Sequence, residues 1–295
     1  MNDEDQVEAT VHADASDMGG SSAKLAPVSV VVPCFRCAAT IDDAVASIAA
    51  QTLRPAEVLL VDDGSGDDTV AALHRVAAVH GTDWIKVIVL PANGGPSRAR
   101  NSAWQQAQQP YIAFLDADDS WGPRKLELQM AALQADPAIA LIAHRMLVRP
   151  RGTAVPALRP PVDVQIIGRR TLLLRNPFPT TSVILRRDLP FRFDEDFWRS
   201  EDYLLWSRIV FSGYRCARID QVLGIWNERE RGATGLSDDF AAVHRARGEQ
   251  RRKLMREGLL SRGEYAFSSA FGLVARMRRK LVLRLRRQGP YRPRA

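Results

Sequence analysis

Cysteine is scarce in this chain: three among 295 residues, an odd and low number that argues against a disulfide framework and fits a reducing compartment. No uninterrupted apolar stretch approaches the roughly 20 residues that span a bilayer, and the N-terminus lacks a basic-then-apolar leader pattern. Cytoplasmic residence is therefore expected. No internal repeat is evident. The basic C-terminal segment lacks the interleaved aromatic side chains on which nucleic-acid bases stack, so no nucleic-acid partner is expected despite a sequence pI near 9.7.

What is present suits an enzyme-sized globular chain, with 46% hydrophobic residues, ample for a buried core in one large or two small domains. The net charge of +7 is unevenly spread. Residues 1–26 hold six acids and one lysine, whereas residues 241–295 hold sixteen Lys/Arg and three Glu. The body between them is near neutral, and the basicity belongs to the C-terminal segment. The first 26 residues, small-residue-rich and without hydrophobic period, are expected to be disordered.

From residue 27 the pattern alternates strand and helix. Val28–Val32 is a β-branched run stopped by Pro33, after which Thr40 stands as an N-cap for a helix. Glu57–Val61 reads as a strand, Asp67–His80 as a helix, Trp84–Leu90 as a strand, Ser97–Gln108 as a helix and Tyr111–Leu115 as a strand. Short connections in such a series predict an α/β fold with a mostly parallel sheet covered on both faces. A helix from Pro123 to Ala135 and a strand over Ile139–Ala143 follow. Residues 149–163, with Pro150, Pro156, Pro160 and Pro161, read as an irregular loop. Helices are expected over Gly168–Arg175 and Tyr203–Phe211, and a strand over Thr181–Leu185.

Several constellations fall at the ends of these strands. Asp116, Asp118 and Asp119 follow a buried strand. Carboxylates so close would raise one another's pKa, and an oxygen-only set suits Mg²⁺ or Mn²⁺ completed by phosphate and water. A polar turn capping the next helix is the plainer account of such a run taken alone. Asp62, Asp63 and Gly64 end the second strand, where an acid can bond a base or ribose and a glycine permits a tight turn. Asn93-Gly94-Gly95 leads into a helix carrying Arg98 and Arg100, a setting that favours anions. Glu201 and Asp202 open an amphipathic helix, as dipole partners or as a general base facing a dry cleft. Cys34 and Cys37 have the spacing of a redox pair, but the β-α series is far longer than a thioredoxin domain.

Taken in order, Val28-Ser-Val-Val-Val-Pro-Cys-Phe35, Val61-Asp-Asp-Gly-Ser65, Asn93-Gly-Gly to Ala99-Arg-Asn101, Phe114-Leu-Asp-Ala-Asp-Asp119 and Glu201-Asp-Tyr-Leu-Leu-Trp206 resemble the inverting family 2 glycosyltransferases. The resemblance covers residues 28–230 and implies a GT-A fold, Rossmann-like, with a nucleotide-sugar half over 27–120, an acceptor half over 121–240 and a basic helical tail over 241–295. It implies that Phe35, where the family usually has Tyr, packs the nucleotide base, and that Asp63 bonds that base, most often uracil. Pro33, Asp62, Asn93, Arg98, Arg100 and Asp116 fall with them on the donor side. Asp116 and Asp118 form the family's DXD motif for Mn²⁺ or Mg²⁺ on the donor diphosphate, and Asp202, with Glu201 as the second choice, stands as catalytic base. The substrates implied are a nucleotide-diphosphate sugar, UDP-linked, and a glycan or lipid-linked acceptor. Two departures stand out: Arg36 follows Phe35 where Asn is usual, and Ile225–Gly232 has no His, leaving Arg229, Arg231 or Ser237 as replacements.

The C-terminal segment carries Phe271, Val274, Met277, Leu281 and Leu285 at steps of three or four, with Arg276, Arg279, Lys280 and Arg286 around them. This is a basic amphipathic helix, suited either to an anionic membrane surface through residues 264–295, at the inner membrane face, or to packing on the catalytic body.

Overall fold

The computed structural model describes residues 25–228 and 239–288. The N-terminal segment expected to be disordered lies outside the described residues up to position 24, as do Arg229, Arg231, Ser237 and the last seven residues. The first half is β1 (Ala26–Cys34), α1 (Ile41–Ala49), β2 (Pro55–Asp62), α2 (Thr69–His80), β3 (Ile85–Val89), α3 (Pro96–Gln106) and β4 (Tyr111–Phe114). These strands lie in the order β3-β2-β1-β4, all parallel. The chain builds outward from β1 to β3 and then returns to the other side of β1, so the strand order reverses between β1 and β4. Open α/β sheets bind ligands outside the strand carboxyl ends at such a reversal.

The valine-rich runs are continuous rather than alternating because both sheet faces are covered. Val30, Val32, Val58 and Leu60 enter one core with α1 and α2, while Val31, Leu59 and Val61 enter a second core with α3 and α6. β1 runs through Pro33 rather than ending before it. The carbonyl of Val31 accepts from Leu115 and that of Cys34 from Asp63, so alternate residues address β4 and β2. Pro33 addresses the β4 side after β4 has ended, where its missing N–H forfeits no ladder bond.

The second half adds β5 (Ser120–Trp121), α4 (Lys125–Ala135), β6 (Ile139–Arg149), β7 (Val164–Ile166), α5 (Arg169–Leu174), β8 (Ile184–Arg186), α6 (Glu201–Phe211), β9 (Arg215–Asn227), α7 (Phe240–Arg256) and α8 (Arg262–Gln288). The sheet continues β8-β6-β9-β5 with β7 on β9, and here the pairing is mixed. Three expectations are corrected. Thr40 occupies the N-cap position, but its hydroxyl donates back to the Cys37 carbonyl at 3.2 Å instead of accepting from the helix. Thr180–Ser182 is a 3-10 turn, and the strand begins only at Ile184, because the Ser182 hydroxyl and amide both bond the Pro179 carbonyl and close the turn. β6 is eleven residues long, and the thirteen-residue β9 beside it had no expected counterpart.

The boundary expected at residue 240 does not separate α7 from the body in space. Leu254 is fully buried in the second core, and Gln250, also buried, donates to the Ser200 carbonyl at 2.9 Å. α8 is joined to α5 by an Arg169–Glu264 ion pair. If α7 is part of the folding unit, Leu254→Ala should cost about 2–5 kcal/mol in urea unfolding of the whole chain, the range for deleting a buried leucine side chain. A change below about 0.5 kcal/mol would mean that α7 is an appendage.

Candidate active site

Two strand ends deliver acids to one edge of the sheet, and a third presents an aromatic ring between them. β2 ends at Asp62, β4 leads into Asp116, and β1 presents Phe35, whose ring remains 46% exposed beside the strand-order reversal. Asp63 is buried, and its two carboxylate oxygens accept from the amides of Gly94 at 3.0 Å and Gly95 at 2.7 Å. Burial raises its pKa, and the two amides oppose that shift. Gly64 sits at φ +65°, and a Cβ there would lie 2.6 Å from the Ala92 carbonyl carbon. Glycine is thus required both for the backbone turn and for the approach of the two loops. Asp63 therefore holds the glycine loop in place, while Asp62 keeps one buried carboxylate oxygen, Oδ1, without a hydrogen-bond partner. Of the two acids, Asp62 has the unused acceptor capacity. Asn93 is exposed at the loop's outer edge, and the Arg98 side chain lies against Gly94.

Arg100 joins the clusters to one another. Its side chain is 4% exposed, with one terminal nitrogen 2.8 Å from Asp116 Oδ1 and the other 2.7 Å from Glu201 Oε1. The guanidinium lies 5.3 Å from the centre of the Phe193 ring, part of an aromatic floor with Trp104, Phe114 and Trp206. Its pKa is raised further above the usual arginine value by the two carboxylates, against burial. Arg100 was expected among the donor-binding residues. The structure gives its fork to two protein carboxylates, Asp116 and Glu201. Asn101, one residue on, pins the loop that precedes α6 through the Phe193 carbonyl and Glu195, each at 2.9 Å.

Glu201 and Asp202 begin α6 after Ser200, which adopts a left-handed φ of 55°. Burial raises both carboxyl pKa values. For Glu201 the Asp202 charge adds to the rise and Arg100 opposes it, whereas for Asp202 the opposing groups are Arg247, the Tyr203 amide, Arg100 and Asn176. Asn176 donates to Asp202 Oδ2 at 2.8 Å and the Tyr203 amide to Oδ1 at 2.7 Å. Arg247 of α7 also reaches the Ser200 hydroxyl at 3.2 Å. A carboxylate with raised pKa at a cleft is suited to take a proton. Asn176, Arg247 and Gln250 escaped the sequence reading. No local motif marks them, since each reaches the acidic pair from a distant element.

The residues fit a divalent cation. Asp116 is 35% exposed, with one oxygen on Arg100 and the other oxygen available, and Asp118 stands two residues on. No group of three or more metal-capable side chains exists among the described residues, so an ion here would complete its shell from substrate oxygens and water, as Mg²⁺ commonly does. The turn is braced by Asn227 of β9, whose side chain donates to the Asp118 carbonyl at 2.8 Å and whose amide donates to Asp119 at 3.3 Å. The two cysteines of the CxxC are free and buried, and burial holds the Cys34 thiol well above its usual pKa. This is the opposite of an activated redox thiolate.

Residues 29–200 match the model of glycosyl transferase family 2. The chain belongs to this family. The family 2 protein is 29% identical over 184 residues to an Escherichia coli protein named UDP-Glc:alpha-D-GlcNAc-diphosphoundecaprenol beta-1,3-glucosyltransferase WfgD, covering 62% of this chain and 69% of that one. It is 32% identical over 209 residues to the succinoglycan biosynthesis protein ExoO of Rhizobium meliloti, covering 66% and 58%. Among solved structures it resembles S. aureus TarS 1–349 in complex with UDP-GlcNAc (TM-score 0.56, 26% identity, 76% of this chain and 66% of that one). It also resembles the mannosyltransferase PcManGT of Pyrobaculum calidifontis in complex with GDP-Man and Mn²⁺ (TM-score 0.61, 20% identity, 90% and 76%). The family 2 protein is a glycosyltransferase with the GT-A fold.

Removal of the Arg100 charge should expose how far the site depends on it. Arg100→Met leaves the buried Glu201 carboxylate unpaired, and breaking such a pair costs about 3–5 kcal/mol. Because the folded state then favours protonated Glu201, stability should fall as pH rises through that raised pKa. Urea midpoints should therefore drop more at pH 8 than at pH 5; equal loss at both would refute the assignment.

Proposed function

We propose that this family 2 enzyme transfers a sugar, with inversion, from a nucleotide-diphosphate donor, UDP-linked, to a hydroxyl of a glycan or lipid-linked acceptor in polysaccharide or glycoconjugate assembly. The observation that carries the proposal is the placement of Asp116 and of Glu201, the chain neighbour of Asp202, on the two arms of Arg100. The nucleotide complexes of TarS and PcManGT and the glucosyltransferase name of the E. coli relative support the donor class.

In this reading the exposed Phe35 ring stacks on the base, and Asp62 Oδ1 accepts from it. Asp116 and Asp118 would hold Mn²⁺ or Mg²⁺. Bound there, the ion supplies Lewis-acid stabilisation of charge on the departing diphosphate, so no protein acid is needed for the leaving group. Asp202 accepts the proton of the acceptor hydroxyl. Its raised pKa, a consequence of burial, strengthens it as a base. A nucleotidyltransferase would be expected to follow its first strand with a glycine-rich phosphate loop, whereas here Pro33-Cys-Phe-Arg-Cys37 follows. A catalytically silent scaffold has no use for a buried carboxylate of raised pKa facing the cleft.

No helix among the described residues is long and apolar enough to cross a membrane. α8 leaves Phe267, Phe271, Leu273, Val274 and Met277 exposed, within the most basic part of the sequence. We assign this helix to an anionic lipid surface at the cytoplasmic membrane face, where each basic residue contributes about 1 kcal/mol. The intact protein should cosediment with vesicles containing anionic phospholipid and much less with zwitterionic ones, and Phe271→Ser with Val274→Ser should weaken it several-fold. Equal sedimentation of both proteins with both vesicles would reject the assignment.

The division of labour has its own test. Asp118→Asn should abolish metal-dependent binding of the sugar nucleotide in calorimetry. Asp202→Asn should retain donor binding within a few-fold while transfer falls at least 100-fold, within the range of general-base contributions. In the native enzyme transfer should fall as pH drops through the Asp202 pKa, above the ordinary aspartate value. Equal loss of donor affinity in the two variants would overturn the roles.

A further inference from the structure

Beside Asp202 a cavity of about 180 Å³ opens between α5, β6 and β9. Its lining includes Arg145, Arg175, Arg218, Asn176 and Trp226, and no acid. The arginines come from three elements: Arg175 at the C-terminal end of α5, Arg218 from β9, and Arg145 from β6 where the ladder to β9 shifts register. Asp220 is set against them, 3.5 Å from Arg145 and 3.9 Å from Arg218. His144 in the same lining is held neutral, its pKa pushed down to about 3 by burial. Three guanidiniums against one carboxylate leave an excess of two positive charges. They also repel one another: burial and then Arg175 and Arg145 hold Arg218 below the usual arginine range, against Asp220. Arg218 Nε is buried and has no hydrogen-bond partner. Clustering like charges around a concavity is unfavourable unless an anion completes it.

The location says which substrate would bring that anion. Asn176 lines the cavity and also donates to Asp202, and Trp226 adjoins Asn227, which braces the Asp118 turn. Asn176 thus joins the cavity to the proposed base, to which an acceptor presents its hydroxyl. The indole of Trp226, 37% exposed, offers an apolar face for a sugar ring.

We propose that this cavity binds a phosphate group of the acceptor, so that the enzyme selects acceptors whose sugar is carried on a phosphate or diphosphate. Two excess positive charges match a phosphate monoester or a diphosphate, and guanidinium forks match its oxygens. This specificity rests on the glycosyltransferase reading above.

The test uses the full chain and three synthetic acceptors bearing one sugar: an alkyl diphosphate ester, an uncharged alkyl glycoside, and a glycoside carrying a uronic acid carboxylate. The diphosphate should be used with kcat/KM at least tenfold above the other two. Arg175→Gln, and independently Arg145→Gln, should raise its KM at least tenfold while donor KM stays within twofold. Inorganic pyrophosphate, titrated without metal, should bind the native chain and bind Arg175→Gln at least tenfold more weakly. Indifference to the phosphate, preference for the carboxylate, or a rise in donor KM in the variants would overturn the proposal. Arginine-dependent pyrophosphate binding with no transfer from any sugar nucleotide would keep the anion site and sink the enzymatic reading instead.

Discussion

The double ion pair of Arg100 is the constraint on which the rest of the site depends. One side chain of α3 takes a carboxylate from the end of β4 and another from the start of α6, and so fixes these two elements against each other. Its worth lies in geometry more than in stability. Withdrawing a guanidinium and its partners from water costs much of what their attraction returns, so the pair contributes little net folding energy while strongly penalising loss of any one member. The aromatic floor of Trp104, Phe114, Phe193 and Trp206 holds the charge in a low-dielectric setting and limits where it can sit.

Around this node the remaining acids differ in what they are free to do. Asp63 spends both oxygens on the Gly94–Gly95 amides, which locks two loops together through the close approach at Gly64. Asp62, its neighbour, keeps a buried oxygen unused. Glu201 is committed to Arg100. Asp202 is held by an asparagine and an amide, and burial raises its proton affinity against the charge of Arg247. Of the two acids opening α6, one is paired with a guanidinium and the other accepts hydrogen bonds from neutral groups. α7, rooted by Leu254 and Gln250, covers the acidic pair and supplies Arg247, which makes a segment read as a tail part of the site's wall.

The parallel block was legible because its signals are local. Runs such as Val28–Val32 and Glu57–Val61 are buried on both faces, and the acids that follow each strand must emerge at its carboxyl end. The second half was less so. β9 contains Asp220 and Gly224 and relies on the neighbouring strand for its regularity, and the Thr180–Ser182 turn competes with extended structure through hydroxyl bonds to the backbone. Pro33 sat inside a strand because only the length of β4, a property of another segment, makes its missing amide harmless there.

By itself, the sequence determined the order of elements in the first half, the identity of the acids at their ends, and the family to which their spacing belongs. These follow from periodicity and turn chemistry, which act over a few residues. Tertiary structure alone decided what each charged group faces. It gave Arg100 to Asp116 and Glu201, Asn176 to Asp202, and placed Arg145, Arg175 and Arg218 around one cavity, although each set spans many residues of chain. Electrostatic environment depends on burial and on distances of a few ångströms across elements, and no local pattern encodes either.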